Sequence, residues 1–208
     1  MTQPGHQTLL RIDSGIGGGD SLTRTIGDEV ERRLALTNPA LARRHLDLAG
    51  GIPHIDAEWV GASYAPEDQR SAGQRDRLQT SDDMIAMLCQ ADVVVLTAPV
   101  YNFSVPSVLK AWIDHVCRAG STFRYTAEGP RGLLRDRPVY LVMASGGVAF
   151  GSAPDFASGY LRQVLGFIGI DDVRLIGAAG TARDAVAARN AAYADLEHWL
   201  PDPAARVA

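Results

Sequence analysis

The stretch that decides the fold is residues 92–112, which read DVVVLTAPVYNFSVPSVLKAW. The run at 92–98 is continuously apolar, which is typical of a parallel strand covered on both faces. A helix is predicted from about Pro106 to Arg118. Proline is favourable at the first helical position, because the N–H that it lacks would have no intrahelical partner there. Between strand and helix, residues 101–103 place two aromatic rings and an amide in a loop that we expect to be exposed.

The rest of the chain alternates between strand and helix patterns. Further strands are predicted at 8–13, 43–48, 138–144 and 172–178, and further helices at 20–36, 76–90, 155–169 and 182–200. Asp20 is the predicted cap of the first helix, and the segment at 49–75 is interpreted as irregular. The pattern predicts an α/β fold in one domain spanning 1–208: a doubly wound five-stranded parallel sheet of order 2-1-3-4-5 with helices on both faces.

Composition limits the partners of the chain. It has 208 residues and a net charge of −4, and no run of five like charges, so we expect no nucleic acid partner. No apolar run is long enough to span a membrane and the start lacks a signal core, so a cytoplasmic protein without a membrane partner is expected. Cys89 and Cys117 lack zinc or disulfide spacing and are expected to be buried, and no metal site is predicted.

Three loops follow strands that are neighbours in the predicted sheet, and ligands bind at such strand ends. The first, 14–23, is glycine-rich and places the hydroxyls of Ser21 and Thr23 at a helix start, which favours an anion. The alternative is a flexible turn followed by a helix cap. The P-loop motif is excluded because its lysine is absent, and the dinucleotide motif G-x-G-x-x-G does not fit.

The second and third loops suit a flat ring. Residues 101–103 offer aromatic faces and main-chain N–H groups, and Ser145, Gly146 and Gly147 offer donors and close approach. Core packing and a plain turn are the alternatives for each loop alone. Together with the first loop, they predict a ligand with a phosphate at one end and a planar heterocycle at the other. Flavin mononucleotide (FMN) has that shape.

Three stretches of the sequence resemble the FMN-dependent NADH:azoreductases, also called FMN-dependent NADH:quinone oxidoreductases. These stretches are IDSGIGGGDSLTR (12–24), APVYNFSVPSVLKAWIDHVCRAGSTFRYTAEGPRGLL (98–134) and SGGVAFGSAPDFASGYLRQVLGFIGIDDV (145–173). The resemblance implies a flavodoxin-like fold, tightly bound FMN, NADH as electron donor, and a homodimer with active sites at the subunit interface. It also implies reduction of quinones and azo compounds as small-molecule acceptors.

Carried over by position, the resemblance implies a set of cofactor-binding residues: Ser14, Gly15, Ser21, Leu22, Thr23, Pro99, Val100, Tyr101, Asn102, Phe103, Ala144, Ser145, Gly146 and Gly147. No catalytic side chain is expected, because the flavin carries the hydride, with Asn102 and Phe103 nearest its reactive ring. Phe123 and Tyr125 are candidates for contact with the second substrate, and strand-like packing is the alternative for both.

The sequence departs from the family pattern near the expected phosphate. Gly15 lacks a family hydroxyl, Asp20 adds a carboxylate, and Ala144 and Ser145 replace a serine and an arginine. Two other functions stay open on the sequence alone. One is a flavodoxin-like electron carrier or flavin-binding protein without its own NADH turnover, and the other is a related fold that has lost FMN.

Overall fold

The computed structural model describes residues 7–17 and 21–206 of the chain. Its main sheet has five parallel strands, whose bounds are β1 Thr8–Asp13, β2 Ala42–Asp47, β3 Val93–Pro99, β6 Val139–Ser145 and β7 Val173–Ala179. Their order across the sheet is β2-β1-β3-β6-β7. This is the predicted order 2-1-3-4-5, because the two strands that intervene in the chain form a separate hairpin, β4 Phe123–Thr126 and β5 Gly129–Gly132.

The helices of the described residues cover both faces of the sheet. Their bounds are α1 Leu22–Thr37, α2 Ala57–Tyr64, α3 Ala72–Gln90, α4 Ser107–Val116, α5 Ser158–Ile168 and α6 Ala185–Trp199. One apolar cluster joins the sheet to α3, α4 and α5, and a second joins it to α1 and α6. The apolar stripe of α4 lies in the core, with Leu109, Trp112, Ile113 and Val116 all buried. The fold prediction is therefore confirmed.

Local signals set several of the helix ends. Ser71 and Gln74 form a reciprocal capping box at the start of α3. Gly169 ends α5 in the left-handed region, with φ of 104°, where a side chain would be strained. At the C-terminal end of α6, Trp199 donates its indole N–H to the Leu175 carbonyl at 3.1 Å. On the same helix, Asp195 accepts the N–H of Gly177 at 2.9 Å, so two outward-facing backbone groups of β7 are satisfied by side chains.

Some local predictions were wrong. The segment at 49–75 is not irregular throughout, since α2 lies within it and Trp59 and Ala62 pack there against Leu78 of α3. All five predicted helices begin one to four residues away from the predicted start, and the largest change is in α3, which begins at 72 instead of 76. Asp20 lies outside the described residues, and Ser21 occupies the N-cap position of α1. Cys89 is exposed rather than buried. Within the described ranges, no helix is both long and apolar enough to cross a bilayer.

Candidate functional site

Loops that follow β1, β3 and β6 meet at the carboxyl edge of the sheet, as the topology requires. Ser14 donates both its main-chain N–H and its hydroxyl to the Thr97 carbonyl, at 3.1 and 2.7 Å. Val100 donates its N–H to the Ala144 carbonyl at 2.8 Å. The first loop is thus bonded to β3, and the second loop to the end of β6. The buried Ser14 hydroxyl is used within the sheet, so Ser14 can contribute to a ligand only through other atoms.

Gly15 brings the first loop close to the second. A Cβ at this position would lie 3.4 Å from Pro99 Cγ and 3.6 Å from Ser21 Oγ, so the glycine backbone lies beside both. A serine here would place its hydroxyl in this narrow space between the loop and the helix start. Both distances are ordinary van der Waals contacts, so a small side chain would fit here, and the glycine leaves the Ser21 hydroxyl without a neighbouring hydroxyl at this position.

The start of α1 is open to an anion. Ser21 has an extended backbone and makes no side-chain cap, and its hydroxyl lies 3.1 Å from that of Thr23. The first turn holds no acidic residue. The N–H groups of Leu22 and Thr23 donate to no acceptor among residues 7–17 and 21–206. Free N–H groups, hydroxyls and the positive end of the helix dipole together suit a phosphate.

The loop at 101–104 is a tight turn of unusual backbone. Tyr101 and Ser104 exchange both main-chain hydrogen bonds, each at 2.9 Å. Asn102 and Phe103 have φ of 49° and 68°, the pattern of a type I′ turn made without glycine. Positive φ at a bulky residue is a strained state, and strain of this kind collects at ligand sites. The N–H groups of Asn102 and Phe103 take no part in the hydrogen bonds of the turn.

The third loop has a buried anchor and an exposed tip. Ser145 is buried, its hydroxyl accepts the N–H of Val148 at 2.9 Å, and its carbonyl accepts the N–H groups of Gly180 and Thr181. Gly146 and Gly147 are exposed, and their N–H groups meet no acceptor in the part of the chain that the structure describes. A Cβ at Gly147 would meet no atom within 4 Å, so the tip faces open space. This loop presents two more donors beside Ala144.

The two candidate substrate residues differ in exposure. Phe123 is 7% exposed, and its ring lies 4.4 Å from the ring of Phe167. This arrangement corresponds to the alternative of packing rather than substrate contact. Tyr125 is 74% exposed and meets Phe123 edge to face at 5.5 Å. Both line a cavity of about 270 Å³ between α2 and the β4–β5 hairpin, with Trp59 and Tyr64 on its opposite wall. The hairpin therefore leaves Tyr125 free for contact and holds Phe123 beneath it.

An ionic cluster behind the first loop was not predicted from the sequence. Asp13, at the end of β1, is buried and accepts hydrogen bonds from Thr97 Oγ1 at 2.6 Å, Arg11 Nε at 2.8 Å and His45 Nε2 at 2.8 Å. Burial alone would raise the pKa of Asp13, but the bonds from Thr97 and Arg11 outweigh it and lower the pKa. A charged residue inside the apolar strand TLLRID is the one sequence signal that pointed to this cluster.

Comparisons with known proteins identify the family of the chain. Residues 7–200 match the family model described as flavodoxin-like fold. A relative from Hahella chejuensis, FMN-dependent NADH:quinone oxidoreductase 1, is 46% identical over 178 residues, covering 86% of this chain and 87% of its own. A protein of the same name from Jannaschia sp. is 42% identical over 189 residues, covering 91% and 96%.

Solved structures share the fold. An FMN-dependent NADH-azoreductase from Bacillus anthracis, solved in complex with FMN, superposes with a TM-score of 0.81 at 24% identity, covering 97% of this chain and 99% of that one. At that identity the likeness speaks for the fold alone. The two relatives share over 40% of their aligned residues with this chain. Together with the family model, they confirm the resemblance drawn from the sequence. This chain belongs to the flavodoxin-like family that includes the FMN-dependent NADH:quinone oxidoreductases.

Proposed function

We propose that this protein is an FMN-dependent NADH:quinone oxidoreductase that also cleaves azo compounds reductively. One observation carries the proposal: the open start of α1, the strained turn at 101–104 and the tip at 146–147 lie at three neighbouring strand ends. The names of the relatives support the same cofactor, donor and acceptor. The name of the azoreductase structure supports the azo acceptors.

The residues present fit FMN by their chemistry. Ser21, Leu22 and Thr23 offer hydroxyls and free N–H groups to a phosphate, and Gly15 leaves room for the main chain to approach it. Asn102 and Phe103 on one loop and Gly146 and Gly147 on the other offer main-chain donors to the polar edge of a ring. Donor sets of this kind are complementary to an anion at one end and to carbonyl and imine groups at the other.

When bound, FMN would supply the redox chemistry, taking a hydride from NADH and passing two electrons to the acceptor in a ping-pong cycle, so a quinone would need one cycle and full cleavage of an azo bond to two amines would need two cycles and two NADH. The protein contributes position and electrostatics. The N–H groups of Asn102 and Phe103, which the paired hydrogen bonds between Tyr101 and Ser104 hold in place, would stabilise negative charge at the edge of the ring. No acid–base triad is needed, and we assign no catalytic side chain.

A homodimer is part of the proposal. Tyr64, Tyr125 and Phe156 expose most of their aromatic surface, at 81%, 74% and 65%. Tyr64 and Tyr125 also line the cavity between α2 and the hairpin. Exposed aromatic groups at the rim of a cavity are typical of an interface, and a second copy would cover them and close the acceptor site. Light scattering on the eluting protein should give twice the mass of one chain.

The location follows from the donor. A reaction that consumes NADH needs a compartment that regenerates it, which supports the proposed cytoplasmic site of action. Fractionation of cells that produce the tagged chain should recover the NADH-dependent quinone reductase activity with the cytoplasm. Activity recovered outside the cytoplasm would contradict this part of the proposal.

The experiment that tests the function is direct. The purified protein should carry the visible spectrum of oxidised flavin and lose it on anaerobic addition of NADH. Addition of a benzoquinone or an azo dye should restore the spectrum, and NADH should be consumed in steady state at 340 nm. A flavin that NADH leaves oxidised would indicate an electron carrier instead. A chain that neither carries nor binds flavin would indicate a fold that has lost its cofactor.

A further inference from the structure

Arg24 follows Thr23 in the first turn of α1, but its guanidinium does not face outward. Nη2 donates to the Gly15 carbonyl at 3.0 Å. The same guanidinium makes a two-pronged contact with Asp47 at the end of β2, at 2.9 and 2.7 Å, and its Nη1 lies 3.5 Å from Asp13 Oδ2. The side chain is 16% exposed. Arg24 therefore joins the first loop to the ends of β1 and β2.

We propose that Arg24 is the positioning residue of the phosphate site: it fixes the peptide between Gly15 and Ile16 so that the Ile16 N–H becomes a further phosphate donor. This inference rests on the proposed FMN function. In a planar trans peptide the carbonyl and the following N–H point in opposite directions. A Gly15 carbonyl held by Arg24 therefore turns the Ile16 N–H away from Arg24.

The Ile16 N–H is available for this role. It donates to no acceptor in residues 7–17 and 21–206. It belongs to the loop whose Gly15 lies beside the Ser21 hydroxyl, so it is next to the open start of α1. If the same peptide were turned over, the Gly15 carbonyl oxygen would face the anion and repel it. Arg24 prevents this by giving that oxygen a strong charged donor.

Charge is the second part of the argument. Asp13 and Asp47 bring two carboxylates to the rear of the loop, and like charge near a phosphate opposes binding. Arg24 pairs with both of them. Its bond to Asp47 is the main reason that the pKa of Asp47 falls to about 2 and that the pKa of Arg24 is raised. Asp13 has further donors in Arg11 and His45, whereas the ion-pair partner of Asp47 among the described residues is Arg24.

The test compares two flavins that differ only in phosphate. Wild-type, Arg24→Gln and Arg24→Lys proteins are stripped of flavin and titrated with FMN and with riboflavin, following quenching of flavin fluorescence. We expect Arg24→Gln to weaken FMN binding at least about tenfold and to leave riboflavin binding within about twofold. Lysine keeps the charge but lacks the planar fork, so Arg24→Lys should recover only part of the FMN affinity.

Arg32→Gln is the matched control, because Arg32 lies on the same helix, makes the same kind of ion pairs with Glu29 and Asp202, and is remote from the loop. It should leave the ratio of FMN to riboflavin affinity unchanged. If Arg24→Gln weakens FMN and riboflavin binding equally, or leaves FMN affinity unchanged, the proposed role of Arg24 is overturned. Neither result would affect the proposed function. If Arg24→Gln does not fold, full FMN affinity in Arg24→Lys serves as the refuting result. Wild-type protein that binds neither flavin would overturn the proposed function, and this inference with it.

Discussion

Replacing Thr97 by valine isolates one hydrogen bond of the ionic cluster. The Thr97 hydroxyl donates to Asp13 Oδ1 at 2.6 Å, and both residues are buried. Valine has nearly the same shape, so little cavity forms. A hydrogen bond to a charged group is worth about 1.5–3 kcal/mol. Asp13 keeps its bonds from Arg11 and His45, so it is not left unpaired. We therefore expect Thr97→Val to lower the free energy of unfolding by about 2 kcal/mol at pH 7.

The same change has a predictable pH dependence. Burial of Asp13 opposes its ionisation, but bonds from Thr97 and Arg11 hold its pKa below the ordinary value in the folded state. A depressed carboxyl pKa gives stability that is present above the unfolded pKa of about 3.9 and is lost as pH falls through the folded pKa. Both proteins share the same unfolded state, so the difference between them is complete above the folded pKa of Asp13 in Thr97→Val and shrinks as the pH falls through the lower folded pKa of the wild type.

Urea unfolding followed by far-UV circular dichroism measures both effects, on flavin-free protein at one protein concentration. Thr37→Val is the matched control, since its hydroxyl donates only to the Arg33 carbonyl at the exposed end of α1. It should change the free energy of unfolding by less than about 0.5 kcal/mol. A Thr97→Val effect as small as that of the control would refute the reasoning. So would a large effect that grows as the pH is lowered below about 4.

Three further predictions concern the loops and α1. Asn102→Gly keeps the turn and its N–H, so FMN titration should give an affinity within about threefold of wild type, whereas Asn102→Pro, whose φ is fixed near −65°, should abolish FMN binding. Ser21→Ala should weaken FMN binding by about 0.5–1.5 kcal/mol, and an unchanged dissociation constant would argue against the phosphate cradle. Gly27→Ala should lower stability by about 1–3 kcal/mol in urea unfolding despite better helix propensity, because its Cβ would lie 2.7 Å from the Arg11 guanidinium, which is buried and held in place by Asp13. Gly61→Ala, with nothing within 4 Å, should instead raise stability by up to about 1 kcal/mol, and equal effects of both changes would contradict the packing argument.

The sequence was sufficient for the centre of the sheet because β3 and β6 are buried on both faces. Continuous apolar runs at 93–98 and 139–144 leave little choice of structure, and the predicted bounds of β3 and β6 differ from the observed ones by one residue at each end. The convergence of the three loops also followed from the sequence, because parallel strands place their carboxyl ends at one edge. That part of the site depends on topology rather than on individual side chains.

The elements that the sequence missed depend on distant contacts. Helix α2 has eight residues, too few to show a helical period, and it is stabilised where Trp59 packs on Leu78. The β4–β5 hairpin contains the run Gly-Pro-Arg-Gly, which has low strand propensity. Its position against α5 is close enough that a Cβ at Gly132 would lie 2.3 Å from the Gly169 nitrogen. The Asp13 cluster joins residues up to 84 positions apart, which no local pattern encodes.

The outer edge of β7, where side chains of α6 bond to the backbone, has a consequence for assembly. The exposed edge strand of a sheet can pair with a strand of another molecule, and repeated pairing of this kind leads to aggregation. Because Asp195 and Trp199 already engage the backbone of Gly177 and Leu175, an incoming strand would have to displace two side chains before it could pair. Growth of the sheet by strand addition at β7 is therefore disfavoured.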